Sequence, residues 1–176
     1  KDAAALRIGE RLYASYCTGC HGSDAGGVRG FPNLRDSDWL YGGNPQQVSQ
    51  SILNGRSGVM PPLGAALSSE QVAELVAYVT SLSQSGETPS SAASAGKTAY
   101  GQMCAACHGV DGKGNIALGA PNLTDDVWLY GGTPQAIETS IVKGRTGQMP
   151  AHKEFLGESK VHLLTAYIWS LSNNAP

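Results

Sequence analysis

The chain has 176 residues, of which 15% are charged and 41% hydrophobic, with a formal net charge of −2. So weak and slightly acidic a balance excludes a protein built to neutralise a nucleic-acid backbone, and no stretch approaches the roughly 18–20 apolar residues needed to cross a bilayer. Glycine is abundant at 23 residues while Phe and Trp number only 2 and 3, which suits small, loop-rich domains whose main apolar body is not protein. No basic segment followed by an apolar core opens the sequence, so a signal peptide is absent or already removed.

In chain order, a segment carrying Gly9, Leu12, Tyr13 and Tyr16 leads into Cys17-Thr18-Gly19-Cys20-His21. Two thiols on one turn with a histidine directly after them form the attachment signature of a c-type haem. The thiols add across the two porphyrin vinyl groups, and the histidine is aimed at the iron. The same pentapeptide returns at Cys104-Ala105-Ala106-Cys107-His108, and the two copies hold all 4 cysteines of the chain, leaving none for a disulfide. Zinc and thiol chemistry are the rivals. Zinc ribbons separate their cysteine pairs by about 15–20 residues, whereas Cys20 and Cys104 lie most of a domain apart. A redox dithiol does not require a histidine after its second cysteine, let alone twice. The reading is two covalently attached haem c groups with His21 and His108 as proximal iron ligands.

After each motif follow Pro32-Asn33-Leu34 and Trp39-Leu40-Tyr41-Gly42-Gly43, matched by Pro121-Asn122-Leu123 and Trp128-Leu129-Tyr130-Gly131-Gly132. The repeat interval is 87 residues through the cysteine motif and 89 from the Pro-Asn-Leu segment onward, so a loop between them differs by two residues. Asn44-Pro45 and Thr133-Pro134 each place an N-cap residue before a proline at the first helical position, and Gly55 and Gly144 stand where those helices should stop. Val72, Leu75, Val76, Val79 and Leu82 recur at helical spacing, as do Val161, Leu164, Ile168 and Leu171 after Gly157-Glu158. No alternating strand pattern competes. Residues 85–94, rich in Ser, Ala, Gly and Pro, read as a linker. The expected architecture is all-α: a first haem-binding domain at 1–84, the linker at 85–94, and a second domain at 95–176.

The sixth iron ligand must come from elsewhere in the chain. Met60 and Met149 occupy equivalent positions, 39 and 41 residues after His21 and His108 and each followed by proline. A lone methionine in a small domain is usually a core gap-filler, but duplication at one glycine-rich site favours ligation. Met103, with Tyr16 as its counterpart, reads as a packing residue. His152, three residues past Met149, is the rival ligand, and His162 is expected to be exposed. A proximal histidine needs an acceptor for its other ring nitrogen, and the carbonyls of Pro32 and Pro121 suit that role. Arg56 and Arg145 can donate to propionates, as can Trp39, Trp128, Tyr41 and Tyr130; simple packing or exposure is the alternative for each.

With Cys-x-x-Cys-His, Pro-Asn-Leu and Met-Pro in that order, each half resembles a class I cytochrome c domain. Asn122 through Gly132, Gly144-Arg145 through Met149-Pro150-Ala151, and Val161 through Tyr167 are similar to the dihaem subunit of cbb-type haem-copper oxidases, and the first half carries a looser version. The resemblance implies two tandem class I domains with His/Met haems, passing single electrons from soluble cytochromes toward the oxidase's catalytic subunit. It implies a periplasmic location, at the outer face of the bacterial inner membrane, and redox proteins as partners, without nucleic acid. That subunit carries an N-terminal membrane anchor that this sequence does not contain, so the resemblance implies either its soluble portion or a free periplasmic carrier serving another reductase or dehydrogenase. Electron transfer rather than enzymatic turnover is expected. A dihaem peroxidase or a haem-based sensor would need an open or displaceable sixth position, against which two matched methionines argue.

Overall fold

The computed structural model describes residues 2–83 and 90–173. The first helix, α1 (Ala3–Tyr16), is capped by Asp2, whose side chain accepts from the amides of Ala4 and Ala5. The cysteine motif itself forms a single turn, α2 (Thr18–His21). Helix α3 (Pro45–Asn54) begins at a capping box between Asn44 and Gln47 and stops at Gly55, as proline and glycine there predict. Strand β1 (Arg56–Met60) leads through a short 3-10 turn to α4 (Ser69–Leu82), which has a second capping box at Ser68 and Gln71. The second repeat follows the same order: α5 (Ser91–Met103), the motif turn α6 (Ala105–His108), α7 (Pro134–Lys143) capped by Thr133, β2 (Arg145–Met149), and α8 (Lys153–Asn173). Gly157 breaks the start of α8 with a left-handed φ of 71°.

Helices dominate, as expected of an all-α protein, but two elements depart from the sequence reading. Residues 56–60 and 145–149 are extended and form a two-stranded sheet, β1–β2. Five-residue strands with glycine at the centre are too short to print an alternating pattern. The linker expected at 85–94 is shorter, because Ser91–Ser94 already belong to α5. Ser90 caps that helix through the Ala93 amide, and Ala93 is buried, so alanines that look like spacer are helix. Residues 85–89 lie outside the described residues.

The larger departure is in the domains. The chain forms two compact units, and neither is a sequence repeat: unit 1 is Lys1–Ser57 with Gly147–Pro176, and unit 2 is Gly58–Thr146. The expected split at 1–84 and 95–176 is therefore replaced by an exchanged one. The chain leaves unit 1 within β1 and returns to it within β2. Unit 1 packs α1 and α3 on α8, around Tyr13, Ile52, Leu164 and Ile168. Unit 2 packs α5 and α7 on α4, around Leu75, Val79, Tyr100 and Ile141.

Glycine lets the paired helices approach. A Cβ on Gly9 would lie 2.5 Å from the Leu163 carbonyl oxygen on α8, and one on Gly96 would strike the Glu74 carbonyl on α4. Beside these crossings Tyr13 meets Tyr167 and Tyr100 meets Tyr78, with ring centroids 5.7 and 5.1 Å apart. The residues that repeat in sequence thus repeat in structure, while the last helix of each repeat packs in the unit that holds the other repeat's haem motif. The two-residue slip is also located: Val28 bridges Phe31 in unit 1, and the equivalent bridge in unit 2 joins Asn115 to Ala120 across a longer tip.

Candidate haem-binding sites

In unit 1 the helical turn at Thr18–His21 is held onto α1 by the Cys17 amide, which donates to Tyr13 O at 2.9 Å. The Tyr13 hydroxyl donates to Gly22 O at 2.6 Å and fixes the far end of the motif. Unit 2 repeats both bonds, from the Cys104 amide to Tyr100 O at 2.9 Å and from the Tyr100 hydroxyl to Gly109 O at 2.8 Å. Sequence reading noted Tyr13 ahead of the first motif but gave it no polar role. Burial pushes both hydroxyls up to about 12, so they are protonated donors throughout the neutral range.

The two histidines share one hydrogen-bonding arrangement. His21 Nδ1 lies 2.9 Å from Pro32 O, and His108 Nδ1 lies 3.1 Å from Pro121 O. A carbonyl only accepts, so each Nδ1 carries the proton and each Nε2 presents a lone pair. Burial lowers both pKa values, outweighing the proline carbonyls that pull the other way, and this keeps the imidazoles neutral.

Cys17 and Cys104 lie in surroundings that disfavour the thiolate. Cys17 and Cys104 are half-buried, while Cys20 and Cys107 are exposed. Burial pushes the Cys17 thiol up to about 11 and raises that of Cys104 as well. A redox dithiol or a zinc ligand needs the opposite shift. Among the described residues no three His, Cys, Asp or Glu side chains come together as a metal cluster.

Around each motif the remaining candidates fall into matched places. Met149, like Cys17 and Trp39, packs against the buried cluster of unit 1, and Met60, like Cys104 and Trp128, against that of unit 2. Gly55 shows why: a Cβ there would lie 2.7 Å from the Ala151 amide, so the chain after Met149 runs tightly along the end of α3. Gly144 stands in the same relation to Pro62, at 2.8 Å. Each tryptophan covers a glycine of its own motif, since a Cβ on Gly43 would be 2.5 Å from Trp39 Cδ1 and one on Gly132 would be 2.6 Å from Trp128 Cδ1.

Arg56 lies over the Tyr41 ring at 4.5 Å and Arg145 over Tyr130 at 4.4 Å. Their Nε atoms donate to Ser51 Oγ and Ser140 Oγ, each at 2.9 Å, and Arg145 Nη2 donates to Ala136 O at 3.3 Å. The serines repeat at the same 89-residue interval, a signal the sequence offered and that pairing with arginine explains. Met103 ends α5 at the surface and His162 is exposed, whereas His152 is buried.

The family model described as cytochrome C oxidase, cbb3-type, subunit III matches twice, over residues 4–79 and 91–168. Subunit CcoP of the cbb3-type cytochrome c oxidase of Rubrivivax gelatinosus is 46% identical over 176 residues, covering 99% of this chain and 57% of that protein. Subunit FixP of the Sinorhizobium medicae oxidase is 42% identical, covering 95% of this chain and 61% of that protein. Subunit CcoP of Cereibacter sphaeroides is 37% identical with the same 95% and 61% coverage. The chain thus spans about three fifths of the length of these relatives. Two attachment motifs, two neutral imidazoles with a free lone pair and two family matches agree on two covalently bound haem c groups. The chain belongs to the family of subunit III of cbb3-type cytochrome c oxidases, as a dihaem c-type cytochrome.

Proposed function

We propose that this chain relays single electrons from a soluble cytochrome toward the catalytic subunit of a cbb3-type oxidase, through two haems whose irons both have filled axial positions. His21 and Met149 ligate the iron of unit 1, and His108 and Met60 that of unit 2. The observation that carries this reading is the packing of one methionine in each unit's core. Unit 1 holds no methionine other than Met149. In unit 2, Met60 packs inward with Cys104 while Met103 is exposed. Each iron therefore takes its histidine from one sequence repeat and its sulfur from the other.

When bound, the haem supplies reversible one-electron chemistry, and a thioether opposite the imidazole raises its potential. The protein supplies position and electrostatics. His21 and His108 hold their lone pairs in line by donating Nδ1–H to Pro32 and Pro121. Cys17, Cys20, Cys104 and Cys107 provide the thioether links. Trp39 and Trp128 wall the sites, and Arg56 with Tyr41, and Arg145 with Tyr130, stand ready for propionates. Partners are redox proteins that dock weakly, over less than about 1,200 Å². The location that suits covalent haem attachment is the periplasmic side of the inner membrane; among the described residues no helix is long and apolar enough to span it.

The test uses the full holoprotein with Met149→Leu and Met60→Leu, a volume-conserving change that cores tolerate well. Each variant should lose the thioether-to-iron absorption band of one haem only, while the parent protein neither binds carbon monoxide nor consumes peroxide. Carbon monoxide binding by the parent, or peroxide turnover, would instead mark an open iron and a peroxidase.

A further inference from the structure

The two methionine loops share one backbone and differ in one buried side chain. Three residues after Met60 stands Leu63, and three after Met149 stands His152. The Leu63 amide donates to Ile141 O at 2.9 Å, and the His152 amide donates to Ile52 O at 2.9 Å, so each residue is pinned to the equivalent helix of the other repeat. Leu63 packs into the apolar core of unit 2. His152 is only 9% exposed, and its Nδ1 is fully buried with no hydrogen-bond partner. An unpaired buried nitrogen is unfavourable and calls for an explanation. Leucine at the same place in unit 2 shows that packing alone does not need an imidazole.

The surroundings point to the iron rather than to a propionate. The His152 ring lies 5.2 Å from that of Phe155, which meets Tyr16 edge-on at 5.5 Å, and Tyr16 directly precedes Cys17. Two ring contacts thus link His152 to the residue that precedes the attachment motif, and three residues of chain link it to Met149.

We propose that His152 is a reserve axial ligand of the unit 1 iron, which takes the sixth position when the bond to the Met149 sulfur is broken, and that unit 2 has no equivalent because Leu63 stands there. The inference rests on the assignment of Met149 to unit 1. The exchange breaks one iron–sulfur bond and forms one iron–nitrogen bond. Both ligands are neutral lone-pair donors, so no electron or proton changes hands. Nδ1, the unpaired nitrogen, is the donor atom. The iron stays six-coordinate but loses the thioether that raises its potential. Loss of the sulfur ligand, by strain or by oxidation of Met149, would then slow electron flow through unit 1 without opening its iron to oxygen or peroxide.

The experiment compares full holoproteins carrying Met149→Leu, Met149→Leu with His152→Leu, Met60→Leu, and Met60→Leu with Leu63→His. Spin state is read by electron paramagnetic resonance, and access to the reduced iron by carbon monoxide binding. Met149→Leu should lose one thioether band yet remain wholly low-spin, with a bis-imidazole signal and no carbon monoxide uptake. Adding His152→Leu should convert one iron to high spin and allow one carbon monoxide per chain. Met60→Leu should bind carbon monoxide directly, and adding Leu63→His should abolish that binding, which tests the idea even if the unit 1 variants fail to fold. Carbon monoxide binding by Met149→Leu alone, or no effect of His152→Leu upon it, would overturn the proposal. If Met149→Leu leaves both thioether bands intact, the ligand assignment beneath it falls as well.

Discussion

Units 1 and 2 use the same parts: a tyrosine hydroxyl closing the motif turn, a glycine at the helix crossing, an arginine laid over a tyrosine, and a leucine at the centre, Leu164 in one and Leu75 in the other. They differ at the turn tip between Val28 and Phe31 against Asn115 and Ala120, at the entry to the last helix, and at His152 against Leu63. The first two differences lie in loops and leave the cradle unchanged. The third lies inside it. The two copies share what orients each imidazole, and differ at the position three residues past each methionine, which is leucine in one and a buried histidine in the other.

Matched substitutions would break or sharpen this comparison. The largest effect is expected for Leu164→Ala and Leu75→Ala, both fully buried. Each should cost about 2–5 kcal/mol in denaturant unfolding. If the exchanged units are right, Leu164→Ala, in the second repeat, should weaken the surroundings of the His21 haem, which shows as earlier loss of that haem's sulfur band. Next come Tyr13→Phe and Tyr100→Phe, which remove the hydroxyl donors to Gly22 O and Gly109 O while the longer bonds from the Ala25 and Gly112 amides remain, and should cost about 1–1.5 kcal/mol each.

The same tyrosines set an alkaline limit. Their folded pKa of about 12 lies above the ordinary 10, so the stability linked to each is fully present below pH 10 and is lost as the pH rises through 12. A pH series of unfolding midpoints should be flat below about 10 and fall above it, and Tyr13→Phe should flatten part of that fall. The smallest effect belongs to Ser51→Ala and Ser140→Ala, about 0.5–1.5 kcal/mol from the loss of a side-chain bond. Their signature is a loosened arginine, visible as a shifted signal of the tyrosine ring beneath it.

Much of this was legible because chemistry demands adjacency. Cys-x-x-Cys-His must be contiguous to meet two vinyls and one iron, and Asn44-Pro45 or Thr133-Pro134 must be contiguous to start a helix. The proline carbonyls behind His21 and His108 followed from the need for an acceptor. The pairing of repeats was not legible, and the reason is the repeat itself. Val72–Leu82 and Val161–Leu171 carry nearly the same apolar stripe, so α1 could bury its glycine and tyrosine against either. Linear and exchanged arrangements hide the same residue types, and only the three-dimensional path through Gly55 and Gly144 distinguishes them. Ser91–Ser94 were misread for a related reason: small residues make a linker or a close helix crossing, and Gly96 against Glu74 decides which.

The exchange itself is tested most directly by cutting the full holoprotein at a protease site placed between Ser83 and Ser90. In the exchanged fold each unit contains pieces of both fragments, so the cut protein should elute as one species with both thioether bands intact, and separating the fragments should abolish both bands. Two separable fragments, each holding one haem with its own sulfur band, would contradict the account.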